Sequence, residues 1–550
     1  MQESIPQGYL PESEVQSDEL YPLPELHYPE QTNVVTELVD RHVREGRGDD
    51  VAIYFREAEI TYAQLKDRVD RFGNALKARG VEPGDRVLVR FPNRPEAVVA
   101  ILATQKIGAV AVPSMKLLRA KELTYVIENA EVSVAVVYEE LLDELEAAIE
   151  EVGLVEDVVV AGESGETRGH QSYDELLSSA SEDLSAHPTS VDDLALMLYT
   201  SGTTGQPKGA VHTHRQVLST ADSYANYCLD PSREDVFGGN APLPFAYGYG
   251  CYLTFPFRFG ASTSLTPDAD PGDLLEAVES HGITVLCSIP TAFNQILTEY
   301  PDAAETYDLS SLRLCTSAGE PLTEETYRAF DAEFGIDILD GIGSTEMLHI
   351  FISHRLGDDI DPTATGYPVP GYEAKVVDPD TYEELERGDP GLLLVRGPTG
   401  ITYWKKPDKQ ESAVQDGWSI PGDIYVHRED GRFEYKSRQD DLIISSGYNI
   451  PGPEVEAVLE ERDEVLTSAV VGSPDEERGE VVKAFVVTDD AVDPDDALAE
   501  SLQTHVKDTL APYKYPREIE FLAELPRTET GKIQRAKLRE REHEQQPATT

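Results

Sequence analysis

Between residues 51 and 317, short apolar runs alternate with amphipathic stretches of helical period. VAIYF at 51–55 reads as a strand, and TYAQLKDRVDRFGNALKARG at 61–80 as a helix with one apolar stripe. Further strands are expected at 85–91, 109–113, 132–138, 156–161, 193–199, 283–289 and 312–317, with a helix at 95–107. Such spacing builds βαβ units and largely parallel sheet. No fixed-period repeat accompanies it. From about residue 374 the strands alternate polar and apolar residues, with a hairpin-like turn in REDGRF at 428–433. A compact segment follows: helix 453–461, strands 465–472 and 481–487, helix 495–510 and strand 518–522.

A chain of 550 residues exceeds what one core supports. The expected fold class is α/β. A large N-terminal domain (32–438) carries parallel or mixed sheets and a β-rich subdomain, and a small α+β C-terminal domain covers 442–540. Residues 1–31, rich in Pro, Glu and Tyr, form an irregular arm, and 541–550 a polar tail.

Charge narrows the partners. Asp and Glu number 103 against 46 Lys and Arg, a net −57, and no Lys stands between Lys208 and Lys375. Such a surface repels phosphate backbones and anionic lipid, which argues against non-specific nucleic-acid binding and disfavours anionic membranes, so no nucleic-acid partner is expected. With 40% hydrophobic residues the chain is not a disordered acidic segment. Carboxylate-rich, Lys-poor surfaces suit concentrated salt, which screens self-repulsion, so a halophilic cytoplasm is expected. The four cysteines form no CxxC pair, the N-terminal stretch lacks a signal-peptide pattern, and the most apolar stretch, 97–113, is interrupted by Gln105 and Lys106. These features set the expectation of a reduced cytoplasmic protein without membrane insertion.

The most informative string is Tyr199-Thr-Ser-Gly-Thr-Thr-Gly-Gln-Pro-Lys-Gly209, placed after the apolar run LALML. Its glycines admit a phosphate close to backbone, and its hydroxyls and Lys208 supply donors. It is not a Walker A loop, because Lys208 lies between Pro207 and Gly209. Further strings follow in order: Ser317-Ala-Gly-Glu320, Asp340-Gly-Ile-Gly-Ser-Thr-Glu346, Trp418-Ser-Ile-Pro-Gly-Asp423, Arg438-Gln-Asp-Asp-Leu-Ile-Ile-Ser-Ser-Gly447 and Pro526-Arg-Thr-Glu-Thr-Gly-Lys532.

This set, spanning roughly residues 32–540, resembles the adenylate-forming superfamily of acyl- and aryl-CoA synthetases, peptide-synthetase adenylation domains and luciferases. The segment DGIGSTEMLHIFIS (340–353) is similar to that of 2-aminobenzoate- and benzoate-CoA ligases. The resemblance implies that a carboxylate attacks the α-phosphate of ATP, giving an acyl-adenylate and pyrophosphate, and that CoA then displaces AMP. Bringing anion onto anion demands positive charge and preorganised donors around phosphorus.

By that resemblance Ser201, Thr203, Thr204 and Lys208 hold the β,γ-phosphates, in an ATP-binding loop that also includes Thr200, Gly202 and Gly205. Gly319, Glu320, Asp340 and Gly341 lie on the adenine and AMP side. Thr345 contacts the α-phosphate, and Glu346 holds Mg²⁺, for which one carboxylate plus phosphate oxygens is adequate. Asp423 and Arg438 bind the ribose. Lys532 bridges the carboxylate and the α-phosphate as charge develops. Asp440 is the hinge (439–441) about which the small, mobile domain turns, and Gly447 lets pantetheine pass along a CoA tunnel. Taken singly these residues read as nothing special: Lys532 as a solvated lysine, Glu346 as a helix first-turn carboxylate, Asp423 as a turn former, Arg438 as a surface ion-pair partner. Their order along the chain gives them meaning.

For the acid, PLPFAYGYG at 242–250 reads either as a core aromatic cluster or as a pocket wall. In the 2-aminobenzoate and benzoate subfamily the positions of Ala246, Tyr247, Gly343, His349 and Ile350 line the acid pocket. Many relatives carry a gate histidine where Ala246 stands, which makes Phe245 or Tyr247 the substitute. His349 reads equally as a core histidine. His212 and His214 flank Thr213 at a strand-to-helix junction, a capping arrangement rather than a metal pair. The expected partners are a small aromatic acid, ATP and CoA, with the chain a monomer or homodimer. A medium-chain fatty-acyl-CoA synthetase is the alternative, and a catalytically silent ligand-binding or scaffold protein the remote one.

Overall fold

The computed structural model describes residues 6, 8–200, 207–267, 270–445, 448–475, 479–489, 492, 494–510, 513–527 and 533–545. The chain divides into two compact units, one of residues 1–374 and 394–421, the other of 375–393 and 422–550.

In the first unit, Thr61 caps the helix Tyr62–Lys77, accepting from the Gln64 N–H while the Gln64 side chain returns to the Thr61 N–H. That helix packs its apolar stripe on the helix Pro95–Lys106, of which all but Glu96 is buried. The polar residues that interrupt this apolar stretch find internal partners for their donors. Lys106, fully buried, pairs with Asp40 at 2.6 Å and Asp70 at 2.5 Å, and Gln105 donates to Ala195 O and the Tyr249 hydroxyl. No helix among the described residues is long and apolar enough to cross a membrane.

Two large sheets organise this unit. The seven-stranded sheet runs Gln171–Ser172, Asp157–Ala161, Val132–Tyr138, Arg86–Arg90, Val110–Ser114, Leu194–Thr200 and Lys208–Thr213; only the last pair is antiparallel. The nine-stranded sheet runs Tyr367–Pro368, Ile350–Ser353, Ile338–Gly343, Leu314–Ala318, Val285–Ser288, Val236–Gly239, Ser262–Ser264, Val51–Phe55 and Ala58–Thr61. Its interior strands are parallel and its edges antiparallel. Interior strands are buried on both faces, which is why they read as continuous apolar runs. The arm is tied down backbone to backbone: Leu20 N–H donates to Gly397 O and Asp18 N–H to Gly417 O.

In the second unit, Asp423–His427 and Phe433–Arg438 form the expected hairpin. A five-stranded sheet follows. Tyr448–Pro451, Leu442–Ser445, Gly479–Thr488 and Val465–Asp475 are ordered in that sequence, and Glu518–Phe521 runs parallel to Gly479–Thr488. Helices Gly452–Glu460 and Asp496–Thr509 supply Val455, Val458, Leu459, Leu502 and Val506 to its core.

Candidate active site

The ends of adjacent strands bring distant segments of the first unit together. Thr200 closes the strand Leu194–Thr200 and sits opposite Lys208, which opens Lys208–Thr213. The loop they bracket holds Ser201, Gly202, Thr203, Thr204 and Gly205, which lie outside the described residues. Gly319 and Glu320 follow the strand Leu314–Ala318, with Gly319 at φ +91°. The Glu320 carboxylate accepts from the Thr291 hydroxyl at 2.6 Å. Asp340, Gly341 and Gly343 belong to the neighbouring strand Ile338–Gly343, with Asp340 in register with Ser317. Thr345 and Glu346 occupy the turn beyond it, where the Ser344 hydroxyl accepts from the Met347 N–H. In open α/β sheets the carboxyl ends of parallel strands are where ligands bind.

Burial sets the charge states. Asp340 is enclosed, and desolvation pushes its carboxyl up to about 7. His212, His214 and His349 are each driven down to about 3 by burial, so all three are neutral at physiological pH. His214 Nδ1 accepts from the Val34 N–H, and Thr213 caps the helix His214–Thr220 with Gln216 completing a capping box. His212, on the strand Lys208–Thr213, is fully buried beside this cap. No group of three or more His, Cys, Asp or Glu among the described residues could hold a metal.

Sequence reading did not pick out Tyr403. Its hydroxyl donates to Glu346 Oε1 at 2.9 Å, and the Lys208 ammonium lies over its ring, 5.0 Å from the centroid. Only its neighbour in space, not in sequence, could have signalled it. The set leaves Glu346 Oε2 for a hard cation. One carboxylate falls far short of a cage, and it fits Mg²⁺ carried on nucleotide phosphates and water.

Close by in sequence and space lies a buried aromatic cluster. Phe245 precedes the short helix Ala246–Tyr249, which continues as Gly250–Thr254 with wider, π-type turns and then Phe255–Phe259. His349, 2% exposed, stacks on Tyr224 at 5.1 Å, meets Phe255 edge-on at 4.4 Å and Tyr247 at 5.9 Å. The Ile350 N–H donates to His349 Nδ1 at 2.6 Å, and Nε2 has no hydrogen-bond partner among the described residues. The Tyr247 hydroxyl engages Thr316. Two glycines make room: a Cβ on Gly250 would stand 2.6 Å from His349 Cδ2 and Nε2, and one on Gly343 2.6 Å from His349 O. Of the two readings of 242–250, the packing shows the core aromatic cluster.

In the second unit, Asp423 and Arg438 face each other on paired strands, joined at 3.0 Å. Asp440 falls in the single turn Gln439–Asp441. Gly447 and Lys532 lie outside the described residues.

A sequence profile described as "AMP-binding enzyme" matches residues 39–404, and one described as "AMP-binding enzyme C-terminal domain" matches 454–532. A benzoate–CoA ligase of Thauera aromatica is 40% identical over 519 residues, covering 94% of this chain and 97% of its own. Among solved structures, an anthranilate CoA ligase in complex with anthranoyl-AMP superposes with a TM-score of 0.87 at 34% identity, covering 95% of this chain and 99% of that one. A benzoate CoA ligase from Burkholderia xenovorans LB400 gives a TM-score of 0.82 at 35% identity, covering 92% and 100%.

Proposed function

We infer that this chain, which belongs to the AMP-binding enzyme family, is an AMP-forming acid–thiol ligase that joins an aromatic carboxylate to CoA. The acid is of the benzoate or 2-aminobenzoate type. The observation that carries this reading is the aromatic cluster of Tyr224, Tyr247, Phe255 and His349, the last of which follows closely on the strand that bears Asp340 and the turn that bears Glu346. Aromatic side chains are suited to receive a flat ring, and glycines at 250 and 343 let His349 and its backbone pack close to this cluster.

The chemistry proceeds in two displacements. A carboxylate oxygen attacks the α-phosphorus, and the bond to pyrophosphate breaks. The CoA sulfur then attacks the acyl carbon, and the bond to AMP oxygen breaks. Lys208 and the loop 200–205 hold the terminal phosphates, Thr345 faces the α-phosphate, and Gly319, Glu320, Asp340 and Gly341 frame the nucleotide. Glu346 holds the magnesium of the nucleotide. When bound, that ion supplies positive charge to the phosphate oxygens. Asp423 and Arg438 bind the ribose, and Lys532 steadies the developing negative charge. The segment 439–441, with Asp440, is the hinge between the 32–438 and 442–540 domains, and Gly447 lines the approach of CoA. The neutral, buried His349 shapes the acid pocket with Ala246, Gly343 and Ile350, and Phe245 or Tyr247 takes the gate position. The enzyme works in a salt-rich cytoplasm as a monomer or homodimer.

Acid-dependent ATP–pyrophosphate exchange and CoA-ester formation test this, with 2-aminobenzoate, benzoate, phenylacetate and straight-chain acids from butyrate to decanoate. Highest kcat/KM for an aryl acid is expected. Preference for octanoate over every aryl acid would make it a medium-chain synthetase, and no exchange with any acid would make it a silent ligand-binding protein.

A further inference from the structure

Tyr403 touches two of the groups to which that reading gives opposite duties. Lys208 must keep a positive charge for phosphate, and Glu346 a negative one for a cation. Side chains of opposite charge converging on one cleft have a competing option, which is to pair and neutralise each other. Among the described residues neither forms an ion pair. Between them stands Tyr403, its ring under the Lys208 ammonium at 5.0 Å from the centroid, its hydroxyl on Glu346 Oε1 at 2.9 Å. An aromatic face attracts an ammonium through the ring quadrupole yet takes up no directed N–H bond, so the donors of Lys208 stay available. A single hydroxyl on one carboxylate oxygen orients Glu346 and leaves its second oxygen uncommitted.

The ring is held firmly enough to serve this purpose. Tyr403 is 5% exposed, and its backbone strip is laid along the strand that starts at Lys208. Trp404 N–H donates to Gly209 O at 2.8 Å and Val211 N–H to Thr402 O at 3.0 Å. The Tyr403 N–H donates to Gln410 Oε1 at 2.9 Å, and Gln410, fully buried, donates in turn to Ile401 O and Val15 O. Behind it, Trp404 is locked by its Nε1–H to Asn129 O at 3.0 Å and an edge contact with Tyr9. The N-terminal arm thus helps to fix the loop that carries Tyr403.

We propose that Tyr403 is a positioning residue that keeps Lys208 and Glu346 apart and separately oriented for phosphate and metal. The proposal rests on the phosphate and metal roles given above to Lys208 and Glu346. The test uses full-length enzyme without acid substrate, with ATP affinity measured in EDTA and the Mn²⁺ affinity of the enzyme–ATP complex read by electron paramagnetic resonance. Y403F keeps the ring and loses the hydroxyl. It should bind ATP in EDTA like wild type and need about tenfold more Mn²⁺, the size expected for one hydrogen bond to a charged group. Y403L loses both and should also weaken ATP binding in EDTA about threefold to fivefold, as for a lost cation–π contact. Wild-type Mn²⁺ affinity in Y403F overturns the hydroxyl's part, and wild-type ATP affinity in a folded Y403L overturns the ring's. K208A and E346Q are run alongside. Unchanged ATP affinity in the first and unchanged Mn²⁺ affinity in the second would fault the roles of those residues rather than the bridge.

Discussion

Arg438 Nη1 donates to both carboxylate oxygens of Asp423 at 3.0 Å across two paired strands, with Asp423 8% and Arg438 47% exposed. An ion pair with one half-exposed partner adds little stability, at most about 1 kcal/mol. If the pair exists to present a carboxylate to ribose hydroxyls, D423N should barely lower Tm yet raise KM for ATP about tenfold, the size of a hydrogen bond to a charged acceptor. A large fall in Tm with unchanged KM would show the pair to be structural instead.

The buried histidines make a second expectation. His212, His214 and His349 are held near 3, far below the ordinary value near 6.5. The folded state therefore refuses protons that the unfolded chain accepts. Their contribution is complete above about pH 6.5 and is lost as pH falls toward 3, each histidine adding up to about 1.4 kcal/mol per pH unit to the slope. Denaturant titrations from pH 4 to 7 should give a shallower slope for H349Q than for wild type. H349Q should also raise KM for the aryl acid while leaving KM for ATP alone. An identical slope would mean that the ring is solvated.

Asp340 predicts the opposite sign. Its carboxyl is raised to about 7 from 3.8, so the folded state holds a proton that the unfolded state releases. That contribution is complete below about 3.8 and disappears as pH rises through 7. D340N, which cannot ionise, should gain stability relative to wild type at pH 8 and show little or no gain at pH 4. Equal differences at both pH values would refute the buried, raised carboxyl.

Glycines 343 and 250 separate backbone from side-chain crowding. A methyl on Gly343 meets the His349 carbonyl and the Ile350 nitrogen at 2.6 and 2.9 Å, atoms fixed in the sheet edge. On Gly250 it meets the His349 and Phe255 rings, which can shift. G343A should therefore cost about 2 kcal/mol or more in stability. G250A should keep its fold and lose about tenfold in kcat/KM for benzoate, with less loss for a slim aliphatic acid. Equal losses for both acids would remove Gly250 from the pocket wall.

The sequence carried the elements well where period and burial agree. The strand at 132–138 has the expected bounds, and the helix at 61–80 is realised as Tyr62–Lys77 with its cap on Thr61. Thr213 was readable as a cap because capping is local in sequence. Sheet order was not readable. Nothing in VAIYF says that Ile53 pairs with Thr263, more than two hundred residues away. The π-type turns at Gly250–Thr254 also escaped, since an apolar run buried on all sides has no periodic face. Tyr403 is the sharpest case. In ITYWKKP it is one aromatic residue among two, and only the pairing of its strip with the Lys208 strand gives it Glu346 as a partner.

The net charge yields the last prediction. Exposed pairs such as Arg56–Glu163 and Arg168–Asp143 are weakened by salt, which alone would make salt destabilising. But 46 cations can neutralise at most 46 of 103 carboxylates, leaving 103 − 46 = 57 in net repulsion. Screening relieves more repulsion than it removes attraction, and it eases the approach of ATP, CoA and the acid, all anions. Tm should therefore rise as KCl increases from low levels toward the molar range, and KM for ATP should fall over the first part of that rise. If, as proposed, Arg, backbone N–H groups and the nucleotide's magnesium compensate phosphate charge across the Lys-free stretch 209–374, the KM effect should persist in K208A. A Tm indifferent to KCl, or a KM that climbs from the lowest salt onward, would show that the surface carboxylates are already neutralised by bound counterions.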